Sequence, residues 1–385
     1  MSIPQRITDF AAELTVIRRD LHEHPELGFQ EHRTSGIVAA ELERLGIAVT
    51  TGIGGTGVVG VLQGNRPGRT IGLRADMDAL PIDEQTNLPW ASKTPGVMHA
   101  CGHDAHTTML LGAARYLAET RDFAGTAVFI FQPAEEGLGG ARAMIADGLF
   151  DRFPCDEVYA LHNSPYHGPG EIGLTPGPAM AGANFFDIKI TGKGCHAASP
   201  DTGIDTIVIA SALVQQLQTI VARNVKATEQ IVLSVTQIHA GAAYNVIPEV
   251  ATLAGTVRYF SRDAAALVTR RMEELCEGMA RAYGVEITLD MRNVFDVLEN
   301  DLSLSAAMLE AARGFVGDKA VQRADKVMGS EDFADMLQVV PGAYCTVGHA
   351  GTVPLHNPGY VFDDDSLPLG AALMARMVEE RGAAA

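Results

Sequence analysis

The stretch VMHACGHDAHTTML, residues 97–110, crowds Cys101, His99, His103, His106 and Asp104 into the turn where a helix should begin. A thiolate, imidazoles and carboxylates together form a borderline-soft ligand set. It suits Zn, Co, Ni, Mn or Fe rather than Mg or Ca. The spacing Cys101-x-His103 lets both side chains reach one metal centre. Elsewhere, polar groups close apolar runs: Asp76 and Asp78 after IGLRA, Glu135 and Glu136 after AVFIFQPA, His162 after EVYAL, and His356 beyond AYCTVG. Cys101, His103, Glu136, His162 and His356 are more ligands than a closed tetrahedral site needs. That surplus points to two metals, with a bridging ligand and open positions for water. In such pairs the metals lower the pKa of bound water and polarise a carbonyl.

The doublet Glu135-Glu136 follows an apolar strand and Pro133, so its neighbouring side chains point in different directions. One carboxylate can bind metal while the other stays free as a general base, later giving its proton to a leaving amine. Asp76 and Asp78 read either as turn or capping residues or as carboxylates that orient a metal-bound imidazole. His99 and His106 remain open between packing and ligation, and His22, His24 and His32 are expected at the surface. Farther along, His196 lies in the glycine-rich GKGCHAASP, Asn245 in a turn, and Arg258 inside the apolar strand GTVRYF. A buried arginine needs a partner, either a structural carboxylate or one on a substrate.

Groups this far apart meet only if the fold gathers strand ends. At 385 residues the chain exceeds the usual size of one hydrophobic core, so two domains are expected. Residues 1–183 and 297–385 alternate strands and helices. That pattern predicts an α/β catalytic domain, a mostly parallel sheet with helices on both faces. Ligands of such sheets bind beyond the carboxyl ends of the strands. Residues 184–296 run strand, helix, strand, strand, helix, strand, which predicts an inserted ferredoxin-like α+β domain. An apolar fraction of 47% with 20% charged residues suits a globular enzyme. The formal charge of −18 argues against nucleic acid and membrane surfaces as partners. No transmembrane helix is expected, because no run approaches the apolar length needed. Five scattered cysteines suit free thiols in a reducing cytosol, and the opening MSIPQRITDF lacks the apolar core of a signal peptide. A cytoplasmic location is therefore expected.

Together, MHACGHDAHT, FQPAEEG, GKGCHAASP, NVIPE and MGSEDF resemble, in order and along essentially the whole chain, the aminoacylase/carboxypeptidase-type dinuclear metallopeptidase family. The most similar branch holds hippurate hydrolases, N-acyl-amino-acid amidohydrolases and indole-acetyl-amino-acid hydrolases. The resemblance implies that Cys101, His103, Glu136, His162 and His356 hold two divalent transition metal ions (Zn, Mn, Co or Ni), with Glu135 as general base. Relatives outside the branch carry an aspartate where Cys101 stands. The resemblance further implies that His196 helps hold a tetrahedral oxyanion and that Asn245 and Arg258 contact a substrate carboxylate. It makes the inserted domain a lid and dimerisation surface, giving a homodimer or a homotetramer. In some relatives such groups reach the partner subunit's site. The implied reaction is hydrolysis of the amide bond of a small-molecule N-acyl amino acid, such as hippurate, by a metal-bound hydroxide.

Other readings stay open. Cys101 could act as a nucleophile with His103 or His106 as its base, a thiol amidase without metal. That reading leaves Glu135, Glu136, His162 and His356 without a task. A non-catalytic metal-binding relative would have no use for a free carboxylate at Glu135. Within the family, N-acetyl-diaminopimelate is an alternative substrate.

Overall fold

The computed structural model describes residues 3–349 and 351–383. The chain divides into two compact units. One comprises Met1–Ala179, Glu299–Asp325 and Glu331–Ala385, and the other Met180–Leu298 with Lys326–Ser330. The short return 326–330 lies outside the limits expected for the insertion. It belongs to the second unit because the Ala181 N–H meets the carbonyls of Val327 and Gly329, each at 3.0 Å. Arg258 Nη1 also donates to Ser330 Oγ at 2.6 Å. These partners are remote in sequence, so no local pattern announces them.

The first unit is built on eight strands in the order Ala48–Ile53, Gly57–Gln63, Ala124–Gln132, Arg66–Asp76, Glu157–Ser164, Gly342–Gly348, Ile172–Leu174, Ala320–Gln322. The central strands from Ala124–Gln132 to Gly342–Gly348 pair in parallel. The first two strands form an antiparallel hairpin, and its second strand also meets Ala124–Gln132 antiparallel. Ile172–Leu174 runs antiparallel to Gly342–Gly348. The sheet is thus mixed around a parallel centre. The hairpin's turn is too short for the crossover that a parallel pair needs. From Ala127 to Phe131 every residue is buried, so helices must cover both faces of that strand. The helices His103–Thr120 and Leu367–Arg381 pack on each other and on the central strands, while Leu302–Val316 packs over the far edge. His103–Thr120 is itself buried along most of its length, which agrees with its apolar character on nearly every side.

The second unit is a four-stranded antiparallel sheet in the order Ile231–Ala240, Val250–Tyr259, Gly182–Thr191, Glu286–Phe295. Gly182–Thr191 buries Phe186, Ile188 and Ile190 and exposes Phe185, Asp187 and Lys189, the period-two pattern of a sheet covered on one face. The covering helices are Thr206–Arg223, through Ile209, Leu213, Leu217 and Ile220, and Arg262–Tyr283, through Val268, Met272 and Cys276. Each opens on a side-chain cap. Asp205 accepts from Ile207 and Val208 N–H, and Ser261 from Ala264 N–H. The first helix carries the chain across one strand position, later filled by Val250–Tyr259, which is the split unit of a ferredoxin-like fold. Among the described residues, Thr206–Arg223 is also long and apolar enough, by length and composition alone, to cross a membrane, with a mean hydropathy of 1.2. Its apolar stripe lies against the sheet of its own unit.

Candidate metal centre and active site

Five candidate ligands arrive from separate places in the first unit. Cys101 sits in the turn before helix His103–Thr120 and His103 is that helix's first residue. Glu136 lies beyond the strand Ala124–Gln132, His162 is on Glu157–Ser164, and His356 lies in the segment after Gly348. Cys101 Sγ is 3.4 Å from His162 Nε2 and 3.3 Å from His356 Nε2. His356 Nε2 is 3.2 Å from Glu136 Oε1, and His103 Nε2 is 4.0 Å from the same oxygen. The donor atoms of Cys101, His103 and His162 lie within 4.8 Å of one another, as do those of Cys101, Glu136 and His356. Cys101 belongs to both groups, so its sulfur stands between two candidate positions.

The arrangement fits metal on two counts. His103 Nε2 is buried without a hydrogen-bond partner among the described residues, a costly state that a cation would relieve. The imidazoles are also preset as ligands. His103 Nδ1 meets Asp78 Oδ1 at 3.1 Å and His162 Nδ1 meets the Asn163 carbonyl at 2.7 Å. Each bond leaves Nε2 facing the cluster. Asp78 also accepts the Glu136 N–H through Oδ2, at 3.0 Å, and so ties two ligand segments together. Asp76 serves a different imidazole: Oδ1 is 2.6 Å from His106 Nδ1, and Oδ2 lies 3.9 Å from His103 Nε2.

The electrostatics follow from burial. Burial pushes the Cys101 thiol up and adjacent Glu136 adds to it. Burial pulls His162 well below the usual imidazole range. For His103 burial acts in the same downward sense, but Asp76 and Cys101 outweigh it and hold the ring well above that range. Hydrogen bonds that His356 donates to Cys101 and Glu136 lift its pKa to about 10. Three imidazoles, a thiol and their neighbouring carboxylates, competing for protons in this way, would exchange them for a cation.

Glu135 sits at the edge of this cluster, beside His103 and Glu136. Ala134 adopts φ 54°, and its N–H donates to Glu31 Oε1 at 2.8 Å, so the chain turns sharply between strand and doublet. Glu136 joins Cys101 and His356, while buried Glu135 lies between two sets: its carboxylate is within 4.8 Å of donor atoms of His103 and Glu136 on one side and of Glu331 and Asp332 on the other. Burial, then Glu331, Glu136 and Asp332, hold the Glu135 carboxyl well above the ordinary range.

Residues 72–380 match the peptidase family M20/M25/M40. This chain belongs to that family. Over 379 residues the M20-family chain is 41% identical to the hippurate hydrolase of Campylobacter jejuni, covering 98% of each. It is 40% identical to the N-acetylcysteine deacetylase of Bacillus subtilis over 371 residues, 96% of each chain. Its fold is also that of a solved dinuclear metal binding peptidase of the M20 family from Bacillus subtilis. The TM-score is 0.84 and the identity 36%, covering 96% of this chain and 98% of the other.

Several groups around this M20-family site carry no local signal in the sequence. Arg74 is fully buried in a strand, where its guanidinium meets Asp76 at 2.7 Å, Glu331 at 2.9 Å, Asp332 at 3.1 Å and Gln132 Oε1 at 2.8 Å. Burial alone would lower its pKa, but Glu331, Asp76 and Asp332 carry it above the normal value. Burial raises Asp332 well above the carboxylate range even beside this arginine. Replacing Arg74 by Met removes the cation that meets all three carboxylates. The Arg74→Met variant is expected to lose about 3–5 kcal/mol of stability, read from its urea midpoint.

His22 corrects the surface assignment. It is 2% exposed, on the inner face of helix Ala11–Glu23, with Nδ1 2.8 Å from Asp104 Oδ2 and Nε2 3.4 Å from Glu84. Arg18, buried on the same helix, reaches Asp104 at 3.5 Å and Asp364 at 2.6 Å. Burial works against charge on His22, but Asp104 and Glu84 outweigh it and lift its pKa to about 9. A raised folded-state pKa stabilises the fold fully below the unfolded value near 6.5, and the gain fades as pH rises through 9. The urea midpoint of wild type over His22→Asn should therefore be largest below pH 6.5 and shrink towards pH 9.5. A constant gap would refute the charged pair. His106 is buried too, bonded to Asp76 and to the Asn163 N–H, and is oriented away from a ligand role by both nitrogens. His99 is buried with neither ring nitrogen partnered among the described residues.

In the second unit His196 lies in the short strand Cys195–His196, paired with Val246–Ile247. Its Nδ1 accepts the Ala198 N–H at 3.1 Å, which leaves the neutral ring's proton on Nε2. Asn245 shapes the adjacent turn, its carbonyl accepting the Ala197 N–H at 2.9 Å. Arg258 is half-buried. Among the described residues it meets Ser330 Oγ and the Phe185 ring rather than a carboxylate.

Proposed function

We propose that this M20-family hydrolase cleaves the amide bond of small N-acyl amino acids, with hippurate-like aromatic and N-acetyl substrates as the first classes to try. The observation that carries the reading is the convergence of Cys101, His103, Glu136, His162 and His356 with a separate buried carboxylate, Glu135, beside them. The similarity to a hippurate hydrolase and an N-acetylcysteine deacetylase supports the substrate class.

Cys101, His103, Glu136, His162 and His356 would hold two divalent first-row ions, whose Lewis acidity activates water and polarises the scissile carbonyl. Asp78 keeps His103 in the tautomer that presents Nε2. Glu135 takes the proton of the attacking water and delivers it to the departing nitrogen. Its raised proton affinity suits both halves of that transfer. His196, with its proton on Nε2, is assigned to the tetrahedral oxygen, a donor aimed where charge develops. Asn245 and Arg258 are assigned to the substrate carboxylate, and that Arg258 meets Ser330 and Phe185 but no carboxylate among the described residues supports the assignment. We further assign residues 184–296 the role of lid and dimerisation surface, and the chain a cytoplasmic location as a homodimer.

The test is a panel of N-benzoyl, N-acetyl and indole-acetyl amino acids assayed with Zn, Mn, Co and Ni. Turnover of at least one class with release of free amino acid is expected. No release from any member, in any metal, refutes the reading.

A further inference from the structure

The three segments that bring Cys101, His162 and His356 are remote in the chain, yet one side chain touches or ties all of them. Asn163 follows His162 on its strand and is 1% exposed. Its Nδ2 donates to the Cys101 carbonyl at 2.6 Å and lies 3.0 Å from His106 Nε2. Its backbone N–H donates to the same His106 nitrogen at 2.9 Å, and His106 in turn is held by Asp76. Its Oδ1 accepts the Tyr360 hydroxyl at 2.6 Å and faces His349 Nε2 at 3.2 Å. Both of those residues belong to the segment that carries His356.

Two backbone features show that this junction is constrained. Gly102, between Cys101 and His103, has φ 86°, and a Cβ added there would lie 2.3 Å from Asn163 Nδ2. Only glycine lets the amide approach the turn so closely. His356 itself sits at φ 62°, sparsely populated for a residue with a side chain, so surrounding contacts must hold it there. Its N–H donates to the Ala100 carbonyl at 2.8 Å, one residue from the carbonyl that Asn163 grips.

We propose that Asn163 is a positioning residue for the metal pair. Its amide fixes the Cys101 carbonyl on one side and the Tyr360–His349 segment on the other, and so sets the distance of Cys101 and His356 from His162. The inference rests on the metal-dependent reading above and concerns the geometry of the pair rather than the reaction catalysed. All four polar contacts of one planar amide are used, and a planar amide holds its donor and acceptor sides at a fixed separation. Asn163 touches neither substrate nor reacting atoms. Its influence passes through the ligands' backbone and loop, as outer groups around metal sites commonly act.

The test uses full-length apo-protein titrated with Co(II), following the visible ligand-field bands and the thiolate-to-cobalt charge-transfer band. Wild type should take up two equivalents, and Glu135→Gln should titrate identically while losing turnover, which checks the underlying reading by itself. Asn163→Leu, which keeps the branched shape and heavy-atom count but has no polar atoms, should bind the second equivalent about 10–100-fold more weakly, with the charge-transfer band shifted. Its kcat should fall by a similar factor, with KM within about threefold. Tyr360→Phe, which removes only the hydroxyl bond to Oδ1, should move the same spectrum in the same direction by less. If Asn163→Leu does not fold, Tyr360→Phe decides. Wild-type spectra and two-site titration in either folded variant overturn the proposal, even if activity has fallen.

Discussion

Glu135→Gln is expected to lower kcat by about 10²–10⁴-fold, with bound metal and thermal stability unchanged. The amide keeps the size of the side chain and removes its capacity to hold a proton. The expected retention of metal rests on Glu136, not Glu135, grouping with Cys101 and His356; Glu135 stands beside His103 and Glu136 without joining either set that contains Cys101. The local field points the same way. Burial and the neighbouring Glu331, Glu136 and Asp332 make Glu135 an avid proton acceptor, and its neutral replacement removes one of four crowded carboxylates. Relief of that crowding should keep the variant at least as stable as wild type. Metal analysis alongside steady-state kinetics checks both halves. Turnover near the wild-type rate with full metal would remove Glu135 from the reaction. Loss of metal together with activity would instead make it a ligand.

Dialysis against a strong chelator is expected to abolish turnover, and Zn, Mn, Co or Ni should restore it. A thiol amidase would survive the same treatment. The size of the effect reflects what the side chains can do alone. Cys101 is a poor nucleophile here, since burial and Glu136 push its thiol up rather than down. His103, one of the bases that reading would use, has Nδ1 engaged by Asp78, and Asp76 and Cys101 hold its pKa well above the usual imidazole range. Without a cation the cluster is therefore a set of mutually opposed charges with no competent attacking group. Cys101→Ala should lose metal and activity together, because the sulfur belongs to both donor groups. Chelator-resistant turnover, or a metal-replete and active Cys101→Ala, would sink the coordination scheme.

The chemical inventory was legible in the chain before any folding. Cys101-x-His103, the Glu135-Glu136 doublet and the histidines that close apolar runs are local features, read from residue type and from the period of buried strands. The alternation that separates residues 184–296 from the rest is local too. Hydrophobic periodicity is set over a few residues, so a sequence can display it without being folded. The structure reads the same elements, including the ferredoxin-like order of four strands in the second unit.

What only tertiary structure decided is which polar group meets which. Nothing near Arg74 in sequence announces Glu331 or Asp332 as its partners, and nothing near Asn163 announces Tyr360. His22 looked like a surface residue of an amphipathic helix until Asp104 and Glu84 closed over it. Asp76 and Asp78, indistinguishable as neighbours on one strand end, were sorted onto His106 and His103 by the direction of alternate side chains. The physical reason is range. Periodicity and ligand type are properties of short stretches, whereas burial of a charge is tolerated only where a distant partner arrives. That arrival is settled by the packing of strands and helices far apart in the chain.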